Sequence, residues 1–228
     1  MKNFSKQQLA TTIAILFHSI GLIGILFFES PLIIAATPLN LLLMLGLLLY
    51  TQEERNLPFF IFFLLCFAVG IIVEIVGTST GWLFGNYKYE TVLGPGISGV
   101  PFIIGINWFI IIYCCGVSIH LLLATITKTL SEQTGKSGKV IKAMSIVVDG
   151  ATLAVFFDWI MEPVAIKLGY WQWLGDGQIP LYNYICWFLV SMFLLLCFHK
   201  LRFEKQNKFA VNLLLIQAMF FLLLRTFL

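Results

Sequence analysis

At 228 residues, with 60% hydrophobic residues, 11% charged residues and a mean hydropathy of +0.95, the chain has too little polar surface to cover a soluble globule. That composition excludes a soluble enzyme or a nucleic-acid-binding domain and leaves an integral membrane protein. The formal net charge of +3 says less than the places where the charges fall.

A transmembrane helix needs about 20 apolar residues to cross roughly 30 Å of hydrocarbon. Such runs occur at 8–28, 32–50, 58–77, 101–126, 139–161, 180–199 and 209–227. They predict an all-α polytopic bundle of seven transmembrane helices, a single membrane domain over 1–228. The first run is longer than a signal-peptide core, and Glu29, Ser30 and Pro31 follow it in place of a small-residue cleavage site, so it counts as a helix. With the N-terminus inside, the inner segments hold Lys2, Lys6, Arg55, Lys128, Lys136, Lys139, Lys142, Lys200, Arg202, Lys205 and Lys208. These are eleven of the fourteen Lys and Arg residues; Lys88, Lys167 and Arg225 fall outside. The positive-inside rule therefore predicts N-in, C-out in a cell membrane. The basic connectors "KTLSEQTGKSGKV" and "KLRFEKQNK" read as solvated loops rather than a nucleic-acid surface.

The third span ends in "EIVGTSTGWLFGNYKYE", with Glu74 placed where lipid is expected. Residues 78–100 that follow are too apolar for a free loop and too rich in glycine for a helix. They read as an outer re-entrant or lid segment, since such backbone is tolerated at membrane depth only where protein or a cavity covers it. Near the outer end of the fifth span, Asp158 and Glu162 stand four residues apart on one helical face, with Pro163 expected to end the helix. Asp149 sits near the opposite side of that helix, where a buried helix–helix hydrogen bond is its expected role. A second outer aromatic loop, 163–179, contains "GYWQW". Carboxylates at helix ends also reach interfacial water, and aromatic residues also form interfacial belts. Glu74 and Asp158, however, are flanked by apolar residues ("GIIVEIVG", "VFFDWIM"), where an ionisable group costs ~2.5–3.5 kcal/mol and marks function by default.

Cys66, Cys114, Cys115, Cys186 and Cys197 lie within predicted spans without C-x-x-C spacing and read as small apolar residues. His18, His120 and His199 form no H-x-x-x-H pair, so no metal site is expected. Asn212 and Gln217 in the last span are expected to make interhelical hydrogen bonds. Pro101 precedes Trp108 by seven residues, as Pro180 precedes Trp187, each after an acid-ended span and an aromatic loop. This suggests a parallel repeat of the third and fourth spans in the fifth and sixth, with a site at their interface.

The string E-x2-G-x3-G-x2-F-G-x-Y-x-Y from Glu74 to Tyr89 is followed by "LGPGISGVP" with Trp108. Next come D-x3-E-P-V-A at Asp158 to Ala165 with "GYWQW", and IP-x2-N-x3-W at Ile179 to Trp187. In combination these resemble the membrane carotenoid hydratases of the bisanhydrobacterioruberin hydratase type, over roughly residues 60–200. Glu162 stands where Asp is common in that family. The resemblance implies addition of water to a terminal carbon–carbon double bond of an acyclic carotenoid, a long polyene, to give a tertiary alcohol.

Such chemistry needs an acid, a stabiliser for the carbocation and a water path, and no cofactor. Asp158 or Glu74, kept protonated by desolvation, is the candidate donor, with the other or Glu162 orienting water. Trp82, Trp108 and Trp159 are candidates to face the cation, where ring faces contribute ~2 kcal/mol or more when desolvated. Phe84, Tyr87, Tyr89, Trp171, Trp173, Asn183 and Trp187 complete the candidate substrate-binding set. The rival readings are a carotenoid cyclase, which starts with the same proton, and a non-enzymatic carotenoid-binding or transport protein. A membrane prenyltransferase is disfavoured for want of a second Asp-rich cluster and of basic residues for a diphosphate. A retinal protein is disfavoured because "FAVNLLLIQAMFFLLLRTF" has no lysine for a Schiff base. The oligomeric state is not written in the sequence.

Overall fold

A computed structural model of the protein describes residues 4–130 and 137–228. Of the predicted inner cations, Lys2 and Lys136 lie outside the described residues, as do the side chains of Lys128 and Lys139. The helices are α1 (Lys6–Leu26), α2 (Pro31–Ala35), α3 (Thr37–Thr51), α4 (Leu57–Thr80), α5 (Phe102–Leu130), α6 (Ser137–Lys167), α7 (Leu181–Lys200) and α8 (Lys208–Phe227). Short strands β1 (Tyr87–Tyr89), β2 (Gly96–Ile97), β3 (Val100–Pro101) and β4 (Trp171–Trp173) occupy the two loops that were predicted to be unusual.

Six helices are long and apolar enough to span a membrane: α1, α4, α5, α6, α7 and α8. The predicted second span is different. It divides at Ala36 into the single turn of α2 and the 15-residue α3, each opened by a proline in its first turn. At 1.5 Å per residue α3 is about 22 Å long, short of the roughly 30 Å core. Local capping sets the other boundaries. Ser5 and Gln8 form a reciprocal capping box on α1, and Asn56 and Asn207 cap α4 and α8 by accepting the backbone N–H groups of Phe59 and Phe209. Gly81 ends α4 in the left-handed region, φ +67°, which glycine reaches without steric cost.

The predicted helix end before Pro163 is corrected: α6 runs on to Lys167 with the proline inside it. An interior proline has no N–H for the carbonyl four residues back, here that of Trp159. Arg225 of α8 supplies the missing donor, its Nη1 donating to Trp159 O at 2.6 Å while its guanidinium lies 3.9 Å over the Trp159 ring. Trp159 is thereby fixed on the outer flank of α6.

The bundle is organised around α5, whose residues Trp108 to Cys115 are all buried, as expected of a helix apolar on every face. It packs against α3, α4, α6, α7 and α8. Four of the five cysteines are buried and all are free, in keeping with their reading as apolar filler. Asp149 is exposed, which replaces the expected buried hydrogen bond, and it does lie away from the buried Asp158.

One end of the bundle is locked by a polar knot. Gln52, 2% exposed, donates through Nε2 to Glu204 O at 2.8 Å and to Glu54 O at 3.2 Å, and its Oε1 accepts from the Tyr113 hydroxyl. Beside it Asn207 donates to Thr51 Oγ1 at 3.1 Å. Each group orphaned in such a place costs ~1–3 kcal/mol. Gln52→Ala is therefore expected to lower the thermal unfolding midpoint in detergent by several degrees. An unchanged midpoint would mean that water replaces the amide at no cost.

Candidate active site

The opposite end of the bundle carries the site. α4 and α6 run toward it and α5 and α7 run away from it, so both aromatic loops fold over the same end. There β1 and β4 pair antiparallel, with Tyr87 opposite Trp173, Lys88 opposite Gln172 and Tyr89 opposite Trp171. Side chains alternate across a strand. The four large aromatics consequently point into the bundle, while the middle pair faces out, with Gln172 donating to Glu90 and Lys88 lying 3.6 Å from it.

Beneath this strap sit three buried carboxyls. Glu74 has both oxygens occupied: Oε2 accepts from the Tyr87 hydroxyl at 2.5 Å and the Tyr89 hydroxyl at 2.8 Å, and Oε1 from Trp108 Nε1 at 3.0 Å. Glu162 receives two indole donors on Oε1, Trp173 at 2.6 Å and Trp171 at 2.8 Å. Asp158 receives one, Asn183 Nδ2 at 3.0 Å on Oδ2. The donors therefore number three, two and one, and only Asp158 and Glu162 keep an oxygen with no protein donor among the described residues. The matched tryptophans Trp108 and Trp187 stack face to face, with centroids 3.9 Å apart and ring planes 10° apart.

These groups enclose a cavity of about 30 Å³. The three acids and eight of the ten residues expected to contact substrate line it: Phe84, Tyr87, Tyr89, Trp108, Trp171, Trp173, Asn183 and Trp187. Trp82 and Trp159 do not. Trp82 follows the turn at Gly81 and is 78% exposed, and Trp159 faces outward under Arg225, so neither ring can face a cation in this chamber. Sequence reading missed Asn107, Ile104 and Met161, which complete the walls. The signal for Asn107 was present as a lone amide in the apolar run "PFIIGINWFIII".

Among the described residues no lysine or arginine lines the chamber, and the hydrogen bonds to the carboxyls come from neutral donors. Three buried carboxyls that line one cavity disfavour one another's charge. Burial and the neighbouring Glu74 push the Tyr87 and Tyr89 hydroxyls well above the ordinary phenol range, so both stay protonated as donors.

A polytopic helix bundle with an acid-lined, cation-free aromatic chamber under a two-stranded strap is thus the class of protein defined by fold and site. The model of the family described as "Carotenoid biosynthesis protein" matches residues 10–228, and the chain belongs to that family. It is 26% identical over 132 residues to a bisanhydrobacterioruberin hydratase of Haloarcula japonica. The matched stretch covers 55% of this chain and 40% of the relative's length. No solved structure matches the chain.

Proposed function

We propose that the protein hydrates a terminal carbon–carbon double bond of an acyclic carotenoid, with Asp158 as proton donor and Glu162 as the base that receives a proton from water. The observation that carries this reading is the unequal distribution of donors over the three acids. Glu74, held by three, is the fixed anion; the two acids on one face of α6 keep open oxygens for proton traffic. Asp158 protonates one alkene carbon and leaves a tertiary cation on the other. Water adds to that cation and gives its proton to Glu162, and passage of this proton back to Asp158 closes the cycle with one water consumed. The chamber of about 30 Å³ has room for about two waters, since one needs ~10–15 Å³, and it is too small for an isoprenoid end. The alkene is better accommodated in the adjoining cavity of about 70 Å³, which shares Ile104, Asn107, Met161 and Trp171 with the chamber.

Further features fit this reading. Lys6, Arg55, Arg202, Lys205 and Lys208 lie at the end away from the strap, which favours N-in and a chamber near the outer face. Counting α2 and α3 together as one crossing gives the seven-helix topology. The Trp108–Trp187 stack and the β1–β4 pair relate α4–α5 to α6–α7 as parallel repeats, with the strap as the lid over their interface.

The test is expression in a host that accumulates lycopene or gamma-carotene, followed by the mass of the extracted pigment. A gain of one water is expected. An isomer of unchanged mass would replace hydration by cyclisation, and pigment bound but unaltered would favour a binding protein.

A further inference from the structure

The proposed chemistry separates its water from its alkene. Water fits the acid chamber of about 30 Å³ and the isoprenoid end the adjoining cavity of about 70 Å³, so a water molecule has to be presented across their common wall. Four residues line both spaces: Ile104, Asn107, Met161 and Trp171. Ile104 and Met161 offer no hydrogen bond through oxygen or nitrogen, and the single nitrogen of the Trp171 side chain is engaged, donating to Glu162 Oε1 at 2.8 Å. Asn107 differs. It is half-buried, and its amide makes no hydrogen bond to any described residue. The chamber's other amide, Asn183, donates to Asp158 and does not line the second cavity; Asn40 and Gln217 line the second cavity and not the chamber. The backbone under Asn107 is also fixed, because the next residue, Trp108, is 1% exposed, stacked on Trp187 and bonded to Glu74.

A water that captures a tertiary cation turns a lone pair toward carbon and its hydrogens away. Glu162 takes one hydrogen, and the other needs an acceptor. An amide oxygen is one. It also suits the neighbourhood of a cation: a carboxylate would combine with the cation, a hydroxyl would add in place of water, and a lysine or arginine would oppose its charge. Capture forms the C–O bond from a water lone pair and breaks one O–H bond, the proton going to Glu162. The cation has a second exit where no water is held. A C–H bond beside it breaks, the electron pair becomes a double bond, and the proton goes to the same base, returning an alkene. Only the placing of water separates the two exits.

We propose that Asn107 is the positioning residue that holds the nucleophilic water across this wall and so decides between hydration and proton loss. The inference rests on the hydratase reading. Its test gives the purified full chain lycopene in detergent and D2O, with the masses of hydrated and unhydrated pigment read at early times. Unhydrated pigment that carries deuterium on carbon records cations that escaped capture. Asn107→Leu, close to the same volume, is expected to lower the ratio of hydrated to labelled unhydrated pigment by about tenfold or more while labelling continues. Asn107→Gln, which keeps the amide one methylene further out, should give a ratio between the two. Should the Leu protein neither hydrate nor label, the Gln protein decides, by an intermediate ratio or an unchanged one. A wild-type ratio in both variants, or hydration and labelling that fall in step in both, would overturn the proposal and leave Asn107 as wall. Wild type that forms no hydrated product would instead overturn the hydratase reading, whatever the variants do.

Discussion

Asp158→Asn is expected to abolish turnover, lowering kcat by about 10²–10⁴-fold, while the protein stays folded. The fold tolerates the change because the carboxyl, 1% exposed, makes one bond, accepting from Asn183 Nδ2 at 3.0 Å. An amide oxygen in the same place accepts that bond equally well. What the amide cannot do is surrender a proton to an alkene. Glu74→Gln should behave differently. The Tyr87 and Tyr89 hydroxyls can rotate to accept from an amide NH2, whereas the Trp108 N–H can only donate and so keeps the amide oxygen on its side. The scaffold survives and the fixed anion is lost, so a smaller fall in kcat is expected. The check is product formed per enzyme, with circular dichroism on the same samples. Retention of a large share of wild-type turnover by the Asp158→Asn protein would remove it from the donor's role.

These expectations depend on groups that the sequence makes visible for a physical reason. A carboxyl between apolar neighbours is expensive, so Glu74 and Asp158 stand out without any knowledge of their partners. The four-residue spacing places Glu162 with Asp158, and the alternation of "YKY" and "WQW" already separates aromatics from Lys88 and Gln172. What is not legible is which aromatic serves which acid. The register of β1 with β4 joins strands of three residues that lie 82 or more positions apart, and nothing local encodes it. Trp82 and Trp159 illustrate the gap. Both share the composition of the site; the turn at Gly81 and the carbonyl freed by Pro163 direct them elsewhere.

The division of the second span is a similar case. Hydropathy is continuous from 32 to 50, and a window average passes over Thr37–Pro38, the pair that opens a new helix. Gln217 is the more instructive miss. An amide in an apolar helix ordinarily finds another helix, as Asn212 does, whereas Gln217 lines a cavity and its Oε1 has no hydrogen-bond partner among the described residues.

Trp108→Ala is expected to be the most destabilising single truncation at the strap end, costing ~3–5 kcal/mol and lowering the thermal midpoint by roughly 10 °C. The ring is 1% exposed and stacks on Trp187 at 3.9 Å, and its N–H satisfies Glu74 Oε1. It lies so close to α4 that a Cβ on Gly70 would come within 2.7–2.8 Å of three of its atoms. Contacts that tight cannot be relaxed by side-chain rotation, so Gly70→Val should drive Trp108 off both partners and reproduce much of the loss. Trp108→Phe separates the contributions: it keeps an aromatic face against Trp187 and removes the N–H, for ~1–3 kcal/mol. Should the Phe and Ala proteins melt together, the stabilisation resides in the hydrogen bond to Glu74 and the stack contributes little. If Phe melts well above Ala, packing between the two tryptophans holds α5 against α7, and the chamber's geometry is set from its core rather than from its acids.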